Sequence, residues 1–306
     1  MKFLNTLHQL QMNNRYEYIE LACFKNTGLR DLCLSQINNY KLSLFRVLSG
    51  TINIRDTYTG KTYRLRRNYF TLPYSEHTTG KLLRGIKDLF EDDVTLNDLN
   101  GYFRKNHKNR EFYQKLEGEI VRCIIAKYND NCIGAFLHLY RSIECISYSF
   151  PLLYASKSKE YIKTFGALKK FFGNEKDPGE LKFFKNFVTE IFKNEDFMSI
   201  TIDIGFDAID VEQEKSNVFK IFTGANFPKP VYAAENDELK YSFTDYYDLM
   251  ISVRNRYFHL LQGSWNENIS CINTEYPEFI FKVIIEQGLN WISIILFEIL
   301  KYDLTN

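Results

Sequence analysis

Arg254, Asn255 and His259 fall within one short apolar stretch, Ser252-Val253-Arg254-Asn255-Arg256-Tyr257-Phe258-His259, with four residues between the arginine and the histidine. An imidazole moves protons near neutral pH and a guanidinium grips phosphate oxygens. Presented by one helix, the two could cleave RNA without a metal. At about 100° per residue, Asn255 and His259 lie about 40° apart, whereas Arg254 lies about 140° from His259. The arginine must therefore reach around the helix, which its long side chain allows. If two such helices pack antiparallel about a twofold axis, the arginine of one copy also approaches the histidine of the other. The bland alternative is a helix-face histidine beside a solvated cation, and in a chain with five histidines this spacing arises readily by chance.

The pair needs a helix to carry it, and apolar residues recur at three and four over 243–261. Ser242 or Thr244 supplies an N-cap there, and Gly263 a C-terminal stop. Upstream, 111–127, 132–154, 159–172 and 179–193 show the same period and are expected to be helical, with a break at Asp177-Pro178-Gly179. The passage 194–240 is irregular and holds Pro228-Lys229-Pro230. Within it 199–205 alternates like a strand, which predicts an edge strand or hairpin beside the helices. A last helix is expected over 277–302, opening on a first-turn proline. Its apolar part, 279–300, is interrupted by Lys282, Glu286, Gln287, Asn290 and Glu298, which argues for a buried helix rather than a membrane span.

The first hundred residues read differently. Short alternating runs at 16–24, 41–48, 51–56 and 61–70 predict strands, and Asp56-Thr57-Tyr58-Thr59-Gly60 supplies turn chemistry between two of them. A polar passage over 91–110 separates the halves. The expectation is an α+β chain, mainly α: a small β-rich domain over 1–100 that recognises substrate or controls activation, then a helical domain over 101–306 with an insert near 194–240.

Composition narrows the classes. The 39 Lys and Arg nearly cancel the 38 Asp and Glu, so no global field favours nucleic acid or anionic lipid, and any basic surface is local. Six scattered cysteines, Cys23, Cys33, Cys123, Cys132, Cys145 and Cys271, form no C-x-x-C pair and predict reduced core thiols of a cytoplasmic protein. The opening residues lack the pattern of a secretory signal. His8, His77, His107 and His138 have no second ligand at zinc-like spacing, and neither a phosphate loop nor a hydrolase elbow occurs. No metal and no cofactor are expected.

The arginine, the asparagine directly after it and the histidine resemble the motif of the HEPN family, Arg-x4–6-His with a polar residue behind the arginine. An earlier helix reads His138-Leu139-Tyr140-Arg141-Ser142-Ile143-Glu144-Cys145-Ile146-Ser147-Tyr148, and its Glu144 is similar to an acidic residue that faces the family's active centre. The alternative for Glu144 is a surface carboxylate paired with Arg141. The resemblance covers roughly 110–306. It implies an up-and-down helical bundle, a homodimer and a metal-independent endoribonuclease. In that reading His259 takes the proton from a ribose 2′-hydroxyl, Arg254 stabilises the phosphorane charge, and Asn255 orients the imidazole or the phosphate. It further implies a toxin or antiviral-defence effector with RNA as substrate, an antitoxin or defence-system partner, and no membrane. The insert at 194–240 departs from a minimal bundle.

Two basic runs are candidate RNA contacts. Arg64, Arg66 and Arg67 alternate with Tyr63, Tyr69 and Phe70 beside Lys61, and Arg104 and Lys105 open a second run that extends to Arg110. Solvated surface is the alternative for both. Two other function classes stay open: a noncatalytic dimerising scaffold of the same fold, and a module paired with a nucleotidyltransferase antitoxin.

Overall fold

The computed structural model of the chain describes residues 11–12, 15–21, 24, 28–34, 39–76, 82–90, 94–105, 108–157, 159–173, 179–259, 268–269 and 273–305. The expected helix stop at Gly263, the break at Asp177 and Pro178, the cysteines Cys23 and Cys271, and the histidines His8, His77 and His107 lie outside these. Over the described residues the chain is mainly helical with small antiparallel sheets, an α+β arrangement. It divides into two compact units, Met1–Ile125 and Ala126–Asn306. That division falls inside a helix rather than at the polar passage near residue 100.

The first unit is built on a four-stranded antiparallel sheet in the order β1 (Gln11–Met12), β2 (Tyr16–Ile19), β3 (Asn53–Asp56) and β4 (Thr62–Arg64). Tyr18 pairs with Ile54 and Ile54 with Tyr63, so one face of the sheet presents three buried side chains in a row. The predicted turn between β3 and β4 is present. Asp56 accepts hydrogen bonds from the backbone N–H groups of Tyr58 (2.9 Å) and Thr59 (3.2 Å), and Gly60 adopts φ 71°. Those bonds, with the Arg15 guanidinium, hold the Asp56 carboxyl below its usual range against the cost of burial.

Residues 41–48 are not a strand. They form helix α1 (Tyr40–Leu48), capped by Asn39, whose side chain accepts from Lys41 N and Leu42 N at 2.9 and 3.2 Å. Every residue of α1 is buried, so no polar face marks the helical period, and a short apolar run of that kind is ambiguous by pattern alone. The unit continues through β5 (Arg67–Asn68) and β6 (Ser75–Glu76), a two-stranded pair, then α2 (Leu82–Lys87), α3 (Leu96–Lys105) and α4 (Arg110–Tyr128). Phe45 of α1 packs its ring on Phe70, Phe90 and Phe103, which ties α1 to the β5 strand end and to α3.

The second unit holds α5 (Cys132–Lys157), α6 (Tyr161–Phe172), α7 (Glu180–Ile191), α8 (Glu212–Phe222), α9 (Phe243–Phe258), α10 (Glu278–Lys282) and α11 (Ile285–Thr305). The expected single helix over 277–302 is broken between α10 and α11. The stretch Glu278–Leu304 is long and apolar enough to cross a membrane, yet 89% of its apolar window is buried, as a core helix requires. The irregular passage holds more structure than its sequence suggested. Strand β7 (Thr201–Gly205) is followed by α8, and β8 (Tyr232–Ala234) and β9 (Glu238–Ser242) close a sheet in the order β7-β9-β8.

Ring and side-chain contacts fix the helix directions. Leu139 approaches Gly288 and the Tyr154 ring packs at a tilt against Tyr302, so α5 and α11 run parallel. Phe136 stacks on Phe258 while Arg254 lies over Tyr140, so α9 runs antiparallel to α5. The core of the unit is an aromatic layer in which Trp291 of α11 packs between Phe184 of α7 and Phe243 and Tyr247 of α9. Each such buried apolar side chain stabilises the fold by about 1.5–3 kcal/mol relative to exposure.

Candidate functional site

Helix α9 and its C-cap carry three of the four residues singled out for catalysis, and its position is fixed over its first two turns. Ser242 is the N-cap: its hydroxyl accepts from Asp245 N at 3.1 Å and donates to the Asp245 carboxylate at 2.6 Å. Tyr246 donates its buried hydroxyl to the Ile284 carbonyl at 2.5 Å, Tyr247 donates to Leu181 O at 3.0 Å, and Trp291 Nε1 donates to Phe243 O at 2.8 Å. Buried tyrosine and tryptophan thus each satisfy their polar atom on a neighbouring backbone while filling the core. With Met250 and Val253 also buried, these contacts define the inward face of α9 and so the side from which Arg254 leaves it.

Arg254 Nη1 donates to Asn255 Oδ1 at 2.9 Å, and its guanidinium carbon sits 5.0 Å from the centre of the Tyr140 ring on α5. Tyr140 is 3% exposed, and its hydroxyl has no hydrogen-bond partner. Burial pushes that phenol above its ordinary range; the Arg254 charge opposes the shift, and the Glu144 charge adds to it. Glu144 is half-buried one turn along α5. Its carboxylate forms no ion pair with Arg254 or any other described residue, although both charges act on the same phenol.

His259 closes α9 as its C-cap, with φ −115° and ψ 75° and its N–H bonded to Asn255 O at 3.2 Å. Its Nε2 is buried and unpartnered. Because α5 and α9 are antiparallel with Tyr140 level with Arg254, Glu144 lies about 6 Å beyond Arg254 along the axis and His259 about 7.5 Å to the other side. The site therefore gathers Arg254, Asn255 and Glu144 around Tyr140 and sets His259 apart at the helix end. Asn255 serves Arg254 here rather than the imidazole. A chain search against family models, curated proteins and solved structures returns no match.

Tyr140 is the member that the motif did not announce. The available signal was its place four residues before Glu144, hence on the same side of α5. Helix α5 is itself unusual. Ser142, Ser147 and Ser149 donate back to the carbonyls of His138, Glu144 and Cys145, and Pro151 lies inside the helix, features that bend helices.

The candidate RNA-contact residues all belong to the first unit. Arg64 on β4 is exposed, as are Arg104 and Lys105 at the end of α3, and Arg66 is half-exposed. Arg67 is less available, since it pairs with Glu76 at 3.3 Å and lies over the Tyr74 ring. The second run's Asn106 and His107 lie outside the described residues. Among the described residues no three His, Cys, Asp or Glu side chains come together as metal ligands. Cys33, Cys123 and Cys132 are buried and Cys145 is half-buried, and none of the four is in a disulfide.

Proposed function

We propose that this chain is a HEPN-type endoribonuclease, acting as a homodimer on cytoplasmic RNA, with a toxin or antiviral-defence role. The observation that carries the reading is the Arg254 guanidinium held beside Tyr140 with one of its five donors engaged, five residues before an imidazole whose Nε2 has no partner. His259 Nε2 accepts the proton of a ribose 2′-hydroxyl, and the freed oxygen attacks the adjacent phosphorus. The 5′-oxygen departs and takes up a proton, leaving a 2′,3′-cyclic phosphate and a 5′-hydroxyl. Arg254 bonds the nonbridging oxygens as their charge grows. The nucleophile, base and electrophile in this scheme come from RNA and side chains, so a chelator leaves the rate unchanged. By resemblance, an antitoxin or another defence protein restrains the activity. The exposed Arg64, Arg104 and Lys105 and the half-exposed Arg66 hold the RNA backbone.

The test uses end-labelled RNA, the same sequence with one 2′-deoxy position, and excess EDTA. Cleavage at the normal site, its loss at the deoxy position, and a fall of about 10²–10⁴ in His259→Ala and Arg254→Ala support the reading. Uncut RNA, or an undiminished His259→Ala rate, overturns it.

A noncatalytic dimerising scaffold is the second reading, favoured by the closure of His259 Nε2 from solvent. The exposed Leu152, Tyr161, Ile162 and Phe165 would serve it as a contact surface. A stable dimer that leaves RNA intact decides for it.

A further inference from the structure

We infer that the ring of Tyr140, rather than the carboxylate of Glu144, is the seat that positions Arg254 for an RNA phosphate. This rests on the endoribonuclease reading above and adds to it a positioning residue that the motif does not contain.

An arginine side chain has four rotatable bonds, and on α9 Arg254 must reach around the helix to share a target with His259. Something has to hold it. Three groups come into question: Asn255, Tyr140 and Glu144. Asn255 is the next residue on the same helix, so its bond to Nη1 draws the guanidinium back along α9 but cannot fix it relative to α5. Glu144 has the right charge and lies one turn from Tyr140, yet it forms no ion pair with Arg254. Tyr140 remains. Its ring is buried, it sits on the facing helix, and the guanidinium lies over it at 5.0 Å.

The chemistry favours a ring over a carboxylate. A carboxylate bonded to Arg254 would neutralise the charge that the phosphorane needs and would have to be stripped away when substrate arrives. An aromatic face attracts the cation without consuming its N–H donors or its charge, so the guanidinium is held in place and still free to take a phosphate in two parallel bonds. One turn before Tyr140, Phe136 stacks on Phe258, a second ring contact between the two helices on the side toward His259. The unpaired Tyr140 hydroxyl marks the ring as the functional part: it contributes no bond to the fold, and a buried donor without a partner is a cost.

Cleavage kinetics of three variants test this. Tyr140→Phe keeps the ring, and its kcat is expected within about threefold of wild type, with thermal stability equal or higher. Tyr140→Leu removes the ring, and kcat falls about 10- to 100-fold, the effect of a misplaced group, while the shape of the pH profile is retained. Tyr140→Met stands in should the Leu variant not fold. An unchanged rate in the folded ring-less variant overturns the inference. So does a Tyr140→Phe loss as large as that of Tyr140→Leu. A double-mutant cycle of Tyr140→Leu with Arg254→Met on thermal unfolding judges the seat without any chemistry: non-additive shifts support it, and additive ones overturn it. If wild-type protein leaves RNA uncut, the ribonuclease reading falls while the cycle still decides on the seat.

Discussion

The Arg46 guanidinium and the Glu20 carboxylate meet at 2.6 Å with neither side chain appreciably exposed. Arg46 also donates to Leu32 O, Thr51 O and Thr51 Oγ1, and it lies 3.5 Å over the Phe24 ring, while Glu20 accepts from Leu34 N. One cation thus binds together α1, the start of β3, and the loop that leads into α1.

Removing either partner leaves a buried charge without compensation. Glu20→Ala and Arg46→Ala are each expected to lower unfolding stability by about 3–5 kcal/mol, measured by chemical denaturation. Glu20→Leu with Arg46→Met takes out both charges and is expected to cost clearly less than the sum of the single changes. A fully additive double variant would show that the pair is not coupled.

Glu117 of α4 is fully buried, and its carboxyl is raised from 4.5 to about 7 by burial, against the opposing pull of hydrogen bonds from Tyr18 and Ser43 and of the Arg122 charge. The folded state therefore holds a proton that the unfolded chain has released between those two values. The stabilisation is complete below pH 4.5 and is lost as pH rises through about 7. Glu117→Gln imitates the protonated form, whose second oxygen also has no partner. At pH 9 it is expected to be more stable than wild type by up to the order of 3 kcal/mol, with little difference at pH 5, read from melting curves across pH. A constant offset at all pH values would refute the assignment.

Gly288 of α11 lies where α5 and α9 converge. A Cβ placed there would stand 2.4 Å from Leu139 Cδ2 and 3.3 Å from Met250 Sδ. Elsewhere in a helix interior, glycine to alanine gains about 1 kcal/mol, yet here Gly288→Ala is expected to lose about 1–3 kcal/mol by overpacking. Adding Leu139→Ala should recover part of the loss in the melting temperature. If the double variant is instead less stable than the additive sum, Leu139 is not the group that yields.

Much of this was written in local pattern. The alternation over 51–56 became β3, the Asp56–Gly60 passage became its turn, and the periods over 111–127, 132–154 and 243–261 became α4, α5 and α9 with small shifts at their ends. Pattern failed where burial is uniform, as in α1, although the Asn39 cap was a usable clue. It failed also at α8, whose polar composition hid a short helix between strands. At the candidate site, the spacing of Arg254, Asn255 and His259 is a local fact and was legible. The partnership of Arg254 with Tyr140 joins residues on different helices, as do Glu20 with Arg46 and Tyr18 with Glu117, and no periodicity within one element can announce such pairs.

In the register of β7 with β9, Thr201 stands opposite Ser242, the residue that caps α9. The chain thus departs from the helices and comes back at neighbouring points, roughly one strand spacing of ~4.8 Å apart. The excursion is nonetheless pinned to the helices it leaves: Arg256 of α9 donates to Asn226 O and Gln287 of α11 to Asp203 O, each at 3.2 Å, and Ile204, Phe222 and Leu239 are fully buried. A change made within Thr201–Ser242 is therefore transmitted to the helix that carries Arg254, two residues from Arg256.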